Sequence, residues 1–510
     1  MITEDQSATV AFLASRAAHG GAAVERIDTH ASLVFLAGDR AWKLKRAVRY
    51  DYLDYSTADR RRAMCEAEVH ANRRTAPAIY LGVTAVTRQP DGQLAIGGAG
   101  TAVDWLVEMR RFDQADLFIQ LAEAGLLSLH LMRPLAAAIA RFHAGADSRT
   151  DRGGWDAMAR LIDGNARGFG RDGAGILEPA QCARLTERAR HALNGVVVLA
   201  DERRDAGMVR QCHGDLHLRN IVLLDGQPTL FDAIEFNDEI AWIDVLYDLA
   251  FLLMDLWRLG LPHHANAVWN GYLADTADHS GLPLMPLFLS CRAAVVAKTT
   301  ATAATLQADA ERRLELQARA GDYLELAQDL LSPPPPRLIA VGGASGTGKS
   351  TAALALAPSI GGAPGAVVIR SDEIRKRLCG KKPFDRLGPE GYTADVSARV
   401  YRAVLEQADA VIRGGCSAIV DAVFARSEDR DAVQHVAAAA GVPFTGFWLE
   451  APERLLVARV EGRGPDASDA DSQVIRQQLA GGTEPLCWHR MDASGTRQQV
   501  CDEMMTVLTA

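Results

Sequence analysis

The sequence predicts two domains of different fold class, an α+β domain followed by an α/β domain with a parallel sheet. In the first part of the chain, short apolar strands are predicted to pair as hairpins, one near the N-terminus and one within residues 213–232, directly after a polar loop. Further on, an apolar strand, a glycine-rich loop and a helix-prone segment follow one another. Four consecutive prolines separate the two patterns. The predicted domains are therefore residues 1–332 and 337–510, joined by a linker at 333–336.

The overall composition indicates a large soluble protein. At 510 residues the chain is long enough for at least two cores, and its net charge of −9 argues against a nonspecific nucleic-acid coat, although a local basic groove remains open. The eight scattered cysteines form no C-x-x-C pair, which indicates buried thiols in a reducing compartment. The N-terminus lacks a signal-peptide pattern, and no apolar segment is expected to reach membrane length. We therefore expect a cytoplasmic protein without membrane contact.

A hairpin near the N-terminus carries two candidate nucleotide-binding lysines. Residues 33–36 and 41–44 are predicted strands joined by a Gly-Asp turn, so Lys43 and Lys45 alternate onto one face. Ala-Trp-Lys at 41–43 is similar to the Ala-x-Lys of the protein-kinase strand whose lysine holds nucleotide phosphates. Lys43 is the preferred candidate.

The helix that follows supplies a candidate partner for this lysine. It is predicted to begin near Ser56 and to carry Glu66 and Glu68. We favour Glu68 as the partner of Lys43, because it stands four residues before an asparagine on the face expected to point inward. Pairs that involve Lys45 or Glu66 remain open.

The polar loop contains the acidic residues that phosphoryl transfer requires. Asp215 precedes Asn220 by five residues, the separation between the hydroxyl-orienting Asp and the metal-binding Asn in the protein-kinase catalytic loop. A hairpin of residues 221–224 and 229–231 then brings Asp232 back to the loop as a second magnesium ligand. Asp215 is therefore the predicted catalytic residue, and the other two are the predicted metal ligands.

These motifs resemble the aminoglycoside/choline phosphotransferase superfamily, which is related to the protein kinases. The resemblance implies a bilobal protein-kinase-like fold, with residues 105–109 joining the lobes and a long helix at 135–143. It also implies that Asp248 anchors the catalytic loop. Two features differ from protein kinases: no glycine-rich loop precedes the lysine strand, which leaves phosphate coverage to a segment such as 29–32, and no glycine follows Asp232 in a kinase-type Asp-Phe-Gly.

The remaining elements lead into an open parallel sheet. A long helical region at 287–331 ends at the prolines, which cannot continue a helix and are expected to act as a short, stiff spacer. Strands then alternate with helices, as parallel sheets require. The predicted strands are residues 338–341, 367–369, 417–420 and 444–449.

A phosphate-binding loop follows the first of these strands. Residues 343–350 fit the pattern G-x-x-x-x-G-K-[ST], in which glycines let backbone N–H groups approach phosphates. Lys349 is expected to reach the terminal phosphates, and the Ser350 hydroxyl is expected to bind magnesium. The predicted nucleotide-binding residues here are Gly343, Ser345, Gly346, Thr347, Gly348, Lys349, Ser350 and Thr351.

Functional residues of an open parallel sheet are expected at the carboxyl ends of its strands. Asp372, Arg375 and Asp421 follow two of the predicted strands. The module resembles small P-loop kinases such as gluconate kinase, chloramphenicol phosphotransferase, polynucleotide kinase and the zeta toxins. This resemblance implies that Asp372 contacts the acceptor hydroxyl and that Arg375 contacts the substrate. Asp421 either holds magnesium or binds substrate.

Two arginines near the end of the chain suggest a lid. Arg459 and Arg463 are four residues apart on a helix predicted to begin near Glu453, and they precede a loop at 464–469. In the resembling kinases such a lid carries arginines to the transferring phosphate. A basic helix end that complements the helix dipole is the alternative.

These observations together predict a tandem phosphotransferase. We expect ATP, or GTP, and Mg²⁺ at both sites, with hydroxyls of small polar molecules as acceptors. One alternative is that the second domain phosphorylates nucleic-acid ends, which the acidic charge does not favour. Another is that the first domain is a binding or regulatory module for the second.

Overall fold

The structure is a computed structural model, and its described residues form two compact units. The first unit comprises Met1–Arg160 and Val197–Asp255, and the second comprises Leu161–Val196 and Leu256–Ala510. These units are defined by packing density, and the division of the chain at the prolines stays a prediction. The described residues are 3–29, 31–50, 53–171, 173–382, 385–462, 468–469, 471–480 and 487–509.

Twelve strands of the first unit are described. They are β1 Val24–Asp28, β2 Ser32–Ala37, β3 Arg40–Lys45, β4 Arg49–Tyr50, β5 Leu53–Asp54, β6 Tyr80–Arg88, β7 Leu94–Ile96, β8 Thr101–Arg110, β9 Val209–Gln211, β10 Ile221–Leu224, β11 Gln227–Leu230 and β12 Trp242–Asp244. Six of them form an antiparallel sheet in the order β1-β2-β3-β8-β6-β7. Three two-stranded sheets pair β4 with β5, β9 with β12, and β10 with β11.

The α-helices described in the two units are the following, in chain order: α1 Ser7–Leu13, α2 Ala58–Asn72, α3 Phe118–Glu123, α4 Met132–Gly145, α5 Gly154–Arg171, α6 Pro179–Gly195, α7 Val197–Asp205, α8 Asp238–Ala241, α9 Val245–Arg258, α10 Pro262–Thr276, α11 Met285–Leu306, α12 Ala310–Leu330, α13 Lys349–Leu356, α14 Ser371–Leu378, α15 Ala394–Arg413, α16 Ser427–Ala440, α17 Glu453–Glu461, α18 Ser472–Ala480 and α19 Arg497–Thr509. Short 3₁₀ helices lie at Arg16–His19, Gln114–Asp116, Leu129–Leu131, Leu218–Asn220, Leu282–Leu284, Ala357–Ser359 and Pro389–Tyr392.

Helix α2 packs on the large antiparallel sheet and fixes the core of the first unit. Cys65 and Val69 of this helix lie in one buried cluster with Tyr80 and Val107 of the sheet. Burying such apolar side chains is worth about 1.5–3 kcal/mol each. The helix begins after Thr57, whose side chain accepts the Arg60 N–H, and not at the predicted Ser56. The mixed unit agrees with an α+β class, and the bilobal kinase-like arrangement stays a prediction.

The hairpin after the polar loop is present, but its second strand, β11 Gln227–Leu230, begins earlier than the predicted strand at residues 229–231 and ends before Phe231. Strands β10 and β11 are antiparallel, with Ile221 opposite Leu230. The two turn residues, Asp225 and Gly226, have φ of 51° and 77°, the left-handed conformation that a tight hairpin turn requires. The hairpin returns the chain to the loop, where Phe231 N–H donates to the Asn220 carbonyl and Asp232 follows directly.

The second unit contains a parallel five-stranded sheet. Its strands are β13 Leu338–Gly343, β14 Val367–Arg370, β15 Ala418–Asp421, β16 Phe444–Glu450 and β17 His489–Asp492, in the order β14-β15-β13-β16-β17. The four predicted strands are present, and the fold is that of a P-loop protein. Strand β17 was missed because its sequence, His-Arg-Met-Asp, is mostly polar and exposed at the sheet edge.

The long helical region predicted at 287–331 consists of two helices. Helix α11 ends at Leu306, and Asp309 then caps α12 by accepting the Arg312 N–H. The segment Leu282–Leu306 is the described helix that is long and apolar enough to span a membrane, which corrects the expectation that no segment reaches that length. Because 67% of the apolar stretch of this segment is buried inside the protein, the segment has the surroundings of a core helix.

Candidate active sites

A buried charge network in the first unit joins both candidate lysines to one glutamate. Lys43 Nζ lies 2.8 Å from Glu68 Oε1, and Lys45 Nζ lies 2.7 Å from Glu68 Oε2. The Glu68 side chain is fully buried. Glu66, the alternative partner, is exposed and pairs with Arg62 on the same helix. Both lysines therefore bind Glu68, which sequence analysis had left as competing pairs.

Each lysine binds a second carboxylate, and these second partners distinguish the positions of the two lysines. Lys43 Nζ lies 2.7 Å from Oδ1 of Asp232, a predicted metal ligand, whereas Lys45 Nζ lies 2.5 Å from Oε1 of Glu235. The Lys45 side chain is 1% exposed, and that of Lys43 is 15% exposed. Lys43 therefore faces the predicted metal ligand, and Lys45 supports the network from the core.

Electrostatics favour the ionised forms of Lys43 and Glu68. Burial alone would raise the pKa of Glu68, but the charges of Lys43 and Lys45 outweigh it and lower that pKa to about 2. Burial would likewise lower the pKa of Lys43, yet Asp232 and Glu68 raise it well above its ordinary value. Burial raises the pKa of Glu235 in spite of the nearby Lys45. Glu235 was missed in the sequence because no spacing rule links it to the lysine.

Contacts from helix α2 and strand β6 hold the segment that begins at Asp232. The Asp232 N–H donates to the Tyr80 hydroxyl at 3.1 Å, and Asp232 has φ of 63°. The Ala233 N–H donates to Asn72 Oδ1 at 2.7 Å, and the Asn72 amide donates back to the Ala233 carbonyl at 3.3 Å. The asparagine four residues after Glu68 therefore fixes the backbone next to Asp232.

The predicted catalytic loop brings Asp215 and Asn220 into direct contact. The Asn220 amide donates to Asp215 Oδ2 at 2.9 Å, and Phe231 N–H donates to the Asn220 carbonyl at 3.0 Å. His217 Nε2 lies 3.2 Å from Asp215 Oδ2. Burial would lower the pKa of His217, but the Asp215 carboxylate raises it. His217 is a second residue that sequence analysis missed at this site.

Asp248 anchors the loop, as the sequence resemblance implied. Its two carboxylate oxygens accept the N–H groups of His213 and Gly214 at 3.0 and 2.9 Å. His143 Nε2 lies 3.1 Å from the same carboxylate, which is completely buried. Asp248 therefore has a structural contact with the backbone just before Asp215.

In the second unit, the phosphate-binding loop has the geometry that its glycines allow. Gly343, Gly346 and Gly348 have φ of 134°, 85° and 91°. A Cβ at Gly343 would lie 2.4 Å from the Leu449 carbonyl oxygen, so only glycine fits there. Lys349 Nζ donates to the Ala344 carbonyl at 3.0 Å. The loop lines a cavity of about 1010 Å³ with residues Ser345, Gly346, Thr347, Gly348, Lys349, Ser350 and Thr351.

Ser350 and Asp421 form one oxygen-rich pair at this cavity. The Ser350 hydroxyl donates to Asp421 Oδ2 at 2.5 Å. Arg370 Nε lies 3.5 Å from the same Asp421 oxygen, and its NH1 donates to Glu373 at 2.9 Å. The hydroxyl and carboxylate oxygens are the ligand types that Mg²⁺ prefers, so the pair fits the predicted metal position.

Asp372 faces the same cavity and has a perturbed acidity. Burial, and then the negative charge of Asp421, raise the pKa of Asp372 above its ordinary value, while Lys349 and Arg370 oppose the shift. A carboxylate with a raised pKa beside a phosphate-binding loop is suited to accept a proton from a hydroxyl.

The Arg375 side chain makes several contacts within the protein, although the sequence predicted that it contacts the substrate. It donates to the Gly391 carbonyl at 2.8 Å and to the Ser397 hydroxyl at 3.3 Å, and it stacks on Tyr392 at 4.9 Å. It still lines the cavity and is 8% exposed. Beside it, the buried Lys376 Nζ lies 3.1 Å from Oδ1 of Asp469, a pair that sequence analysis missed.

The predicted lid is described only in part. Helix α17 ends at Glu461, so Arg459 lies in its last turn, lines the cavity and approaches the Gly495 carbonyl at 3.5 Å. Arg463 lies outside the described residues. Within the predicted loop 464–469, Ser468 and Asp469 are described, and both line the cavity.

Helix α18 makes an additional contact with the phosphate loop. The Gln478 side-chain oxygen accepts the Ser345 N–H at 2.8 Å. A backbone N–H in this loop is of the type that binds phosphate oxygens. Gln478 therefore accepts a hydrogen bond from a group that the sequence predicted to bind nucleotide.

Comparison with known proteins supports the P-loop module. Residues 338–485 match the AAA_33 family, described as an AAA domain. Over 479 residues the chain is 29% identical to the uncharacterized proteins Rv2004c of Mycobacterium tuberculosis (strain H37Rv) and Mb2027c of Mycobacterium bovis. In each case, the alignment covers 92% of this chain and 93% of the relative.

Solved structures match about one third of the chain. A gluconokinase from Sinorhizobium meliloti 1021 is 21% identical, with a TM-score of 0.26, and covers 34% of this chain and 92% of its own. The Mycobacterium tuberculosis APS kinase CysC, in complex with AMPPNP and APS, is 20% identical, with a TM-score of 0.27, and covers 35% and 99%. The family match, together with the phosphate-binding loop, supports an ATP-dependent kinase whose P-loop module includes residues 338–485.

Proposed function

We propose that this protein is an ATP-dependent phosphotransferase with two nucleotide sites, one in each compact unit. Each site transfers the γ-phosphoryl group of ATP to a hydroxyl of a small polar molecule. The observation that carries the proposal is the cavity of the second unit, in which Asp372 and the Ser350–Asp421 pair line the same space as the phosphate-binding loop. The proposed proton acceptor, the oxygen atoms suited to Mg²⁺ and the phosphate-binding loop therefore line one cavity, the combination that phosphoryl transfer requires.

In the second unit, we assign one role to each group. The backbone of residues 343–351 cradles the phosphates, and Lys349 follows the terminal phosphoryl group. Asp372 accepts the proton of the acceptor hydroxyl, and its raised pKa makes it a stronger base than an ordinary carboxylate. Arg375 borders the acceptor side, and Arg459 stabilises developing charge.

In the first unit, Lys43 is assigned to the nucleotide phosphates and Asp215 to the acceptor hydroxyl. Lys43 contacts both Glu68 and Asp232, which supports this assignment. These contacts place the lysine beside its supporting glutamate and beside a predicted magnesium ligand. The contact between Asn220 and Asp215 similarly keeps the second metal-type side chain beside the acid. This site is the part of the proposal that corresponds to the aminoglycoside-phosphotransferase resemblance.

Magnesium fits both donor sets by their chemistry. Asn220 and Asp232 would hold it in the first unit, and Ser350 and Asp421 would hold it in the second, since all four offer oxygen atoms. When bound, Mg²⁺ neutralises phosphate charge. A cytoplasmic location, where ATP is supplied, completes the proposal.

The gluconokinase and APS kinase named above direct the choice of acceptors. A screen would measure ADP release by the full chain with sugars, sugar acids, amino sugars, nucleosides and 5′-hydroxyl RNA. Lys349→Ala and Asp215→Asn variants would assign each activity to one unit. The proposal expects at least one small-molecule acceptor whose turnover is lost in one variant and kept in the other.

A screen in which no acceptor increases ADP release would contradict the proposal. Release with 5′-hydroxyl RNA alone would replace it with nucleic-acid end phosphorylation. Loss of the same activity in both variants would indicate that the first unit regulates the second instead of catalysing a reaction of its own.

A further inference from the structure

Helix α10 contacts the edge of the parallel sheet within the second unit. Strand β14 is the last strand on its side of the sheet, with β15 as its neighbour. Val367 N–H donates to the Ser417 carbonyl toward β15. Because successive N–H groups of a strand point in opposite directions, Val368 N–H points to the outer edge. An edge of this kind presents hydrogen-bonding groups that need partners.

Two asparagines of α10 supply those partners. Asn266 and Asn270 are four residues apart and lie on one face of the helix. The Asn270 side-chain oxygen accepts the Val368 N–H at 2.7 Å, and its amide donates to the Ala366 carbonyl at 3.1 Å. The Asn266 amide donates to the carbonyls of Pro364 and Ala366, both at 3.0 Å. These contacts hydrogen-bond both kinds of backbone group along this edge.

The fit between helix and strand is close as well as polar. Asn266 is 2% exposed, so its amide is committed to these contacts, and Asn270 binds the Asn266 side-chain oxygen at 3.0 Å. Gly365 has φ of 95°, and a Cβ there would lie 2.7 Å from Asn266 Nδ2. A Cβ would also lie 2.6 Å from the Ala357 carbonyl oxygen, so the backbone conformation and this second contact, and not α10 alone, require glycine here.

Strand β14 leads directly into the candidate active site. The last residue of the strand is Arg370, and its Nε atom lies 3.5 Å from Asp421 Oδ2. Helix α14 begins at the next residue and carries Asp372 in its first turn. A displacement of β14 would therefore move the groups that face the cavity, while the phosphate-binding loop on β13 would keep its own backbone contacts.

We infer that helix α10 completes the P-loop catalytic module, with Asn266 and Asn270 as positioning residues that fix β14 and thereby Asp372. The catalytic role of Asp372 in this inference rests on the proposed function. Helix α10 precedes the proline segment in the chain and belongs to the kinase module that follows that segment.

The test uses hydrogen exchange of the full chain with Asn270→Ala. Loss of the hydrogen bond is expected to accelerate exchange of the Val368 amide by about tenfold, together with its neighbours in residues 366–372. Amides of residues 343–351 should keep their protection by AMPPNP with Mg²⁺. Asn194→Ala, the same change at an exposed position of α6, is the matched control and should alter neither segment.

A second variant separates positioning from general destabilisation. Asn270→Asp keeps an acceptor for Val368 N–H but loses the donor to the Ala366 carbonyl. Exchange of the Val368 amide in this variant should therefore be faster than in the unchanged protein and slower than in Asn270→Ala. With an acceptor from the screen above, Asn270→Ala should lower kcat by about tenfold with an unchanged KM for ATP.

Unchanged exchange at residues 366–372 in both Asn270 variants would overturn the inference. Faster exchange spread evenly over all five strands would also overturn it, since the asparagine would then support only global stability. If local exchange responds but no acceptor is ever phosphorylated, the proposed function fails while the support of β14 stands.

Discussion

Replacing Glu68 with glutamine is expected to destabilise the first unit by about 3 kcal/mol. Glu68 is fully buried and binds Lys43 and Lys45, so the change removes one partner from two buried ion pairs. Its pKa is lowered from an ordinary 4.5 to about 2, and at 1.36 kcal/mol per pKa unit this corresponds to ~3 kcal/mol at neutral pH. Removing one partner of a buried pair typically costs ~3–5 kcal/mol. We expect the lower end, because Asp232 and Glu235 still bind the lysines.

The pH dependence of this stabilisation has a definite sign. The folded-state pKa of Glu68 is depressed, so its contribution is fully present above the unfolded value near 4.5. The contribution is lost as the pH falls through that value toward the folded value of about 2. Glu68→Gln should therefore differ from the unchanged protein most at neutral pH and progressively less below pH 4.5.

Native-state hydrogen exchange of amides in α2 and β3 measures this free energy for the first unit by itself. Glu66→Gln is the matched control, because Glu66 lies on the same helix but forms an exposed pair with Arg62 worth about 0.3–0.5 kcal/mol. Equal effects of the two substitutions, or a loss below ~1 kcal/mol for Glu68→Gln, would refute the account of the network.

Three further predictions concern the second unit. Lys349→Ala should abolish its phosphotransfer but change turnover by the first unit less than twofold, and joint loss would contradict independent sites. Because the pKa of Asp372 is raised above 3.8, activity should rise as pH increases through that raised value. Asp372→Asn should remove most of the turnover while AMPPNP still binds. An unaltered pH profile in this variant would exclude Asp372 as the base. Gln478→Ala should tighten AMPPNP binding measured by calorimetry, because the nucleotide then no longer has to displace the hydrogen bond between Gln478 and Ser345 N–H. Weaker AMPPNP binding would show instead that Gln478 helps to bind the nucleotide.

Sequence patterns located the local elements of both candidate sites because each depends on short-range spacing. The five-residue separation of Asp215 and Asn220 and the following hairpin bring these residues near Asp232, and the glycine pattern at 343–350 forms a loop with the required positive φ angles. Such features are determined within a few residues of chain.

Long-range contacts could not be predicted in the same way. Glu235 reaches Lys45 across 190 residues, and no periodicity connects them. Asn266 likewise contacts the edge of a strand about 100 residues later, beyond the prolines that were predicted to join two domains. The fifth strand was missed because packing, and not an apolar pattern, determines its place at the sheet edge.

The number of nucleotides that bind per chain distinguishes a protein with two nucleotide sites from a protein with one. Equilibrium dialysis of the full chain with AMPPNP and Mg²⁺ should give two bound nucleotides, and Lys349→Ala should reduce the number at moderate ligand concentration to one. The remaining nucleotide is expected to bind beside Lys43 in the first unit. A stoichiometry of one for the unchanged chain, lost completely in Lys349→Ala, would contradict two nucleotide sites.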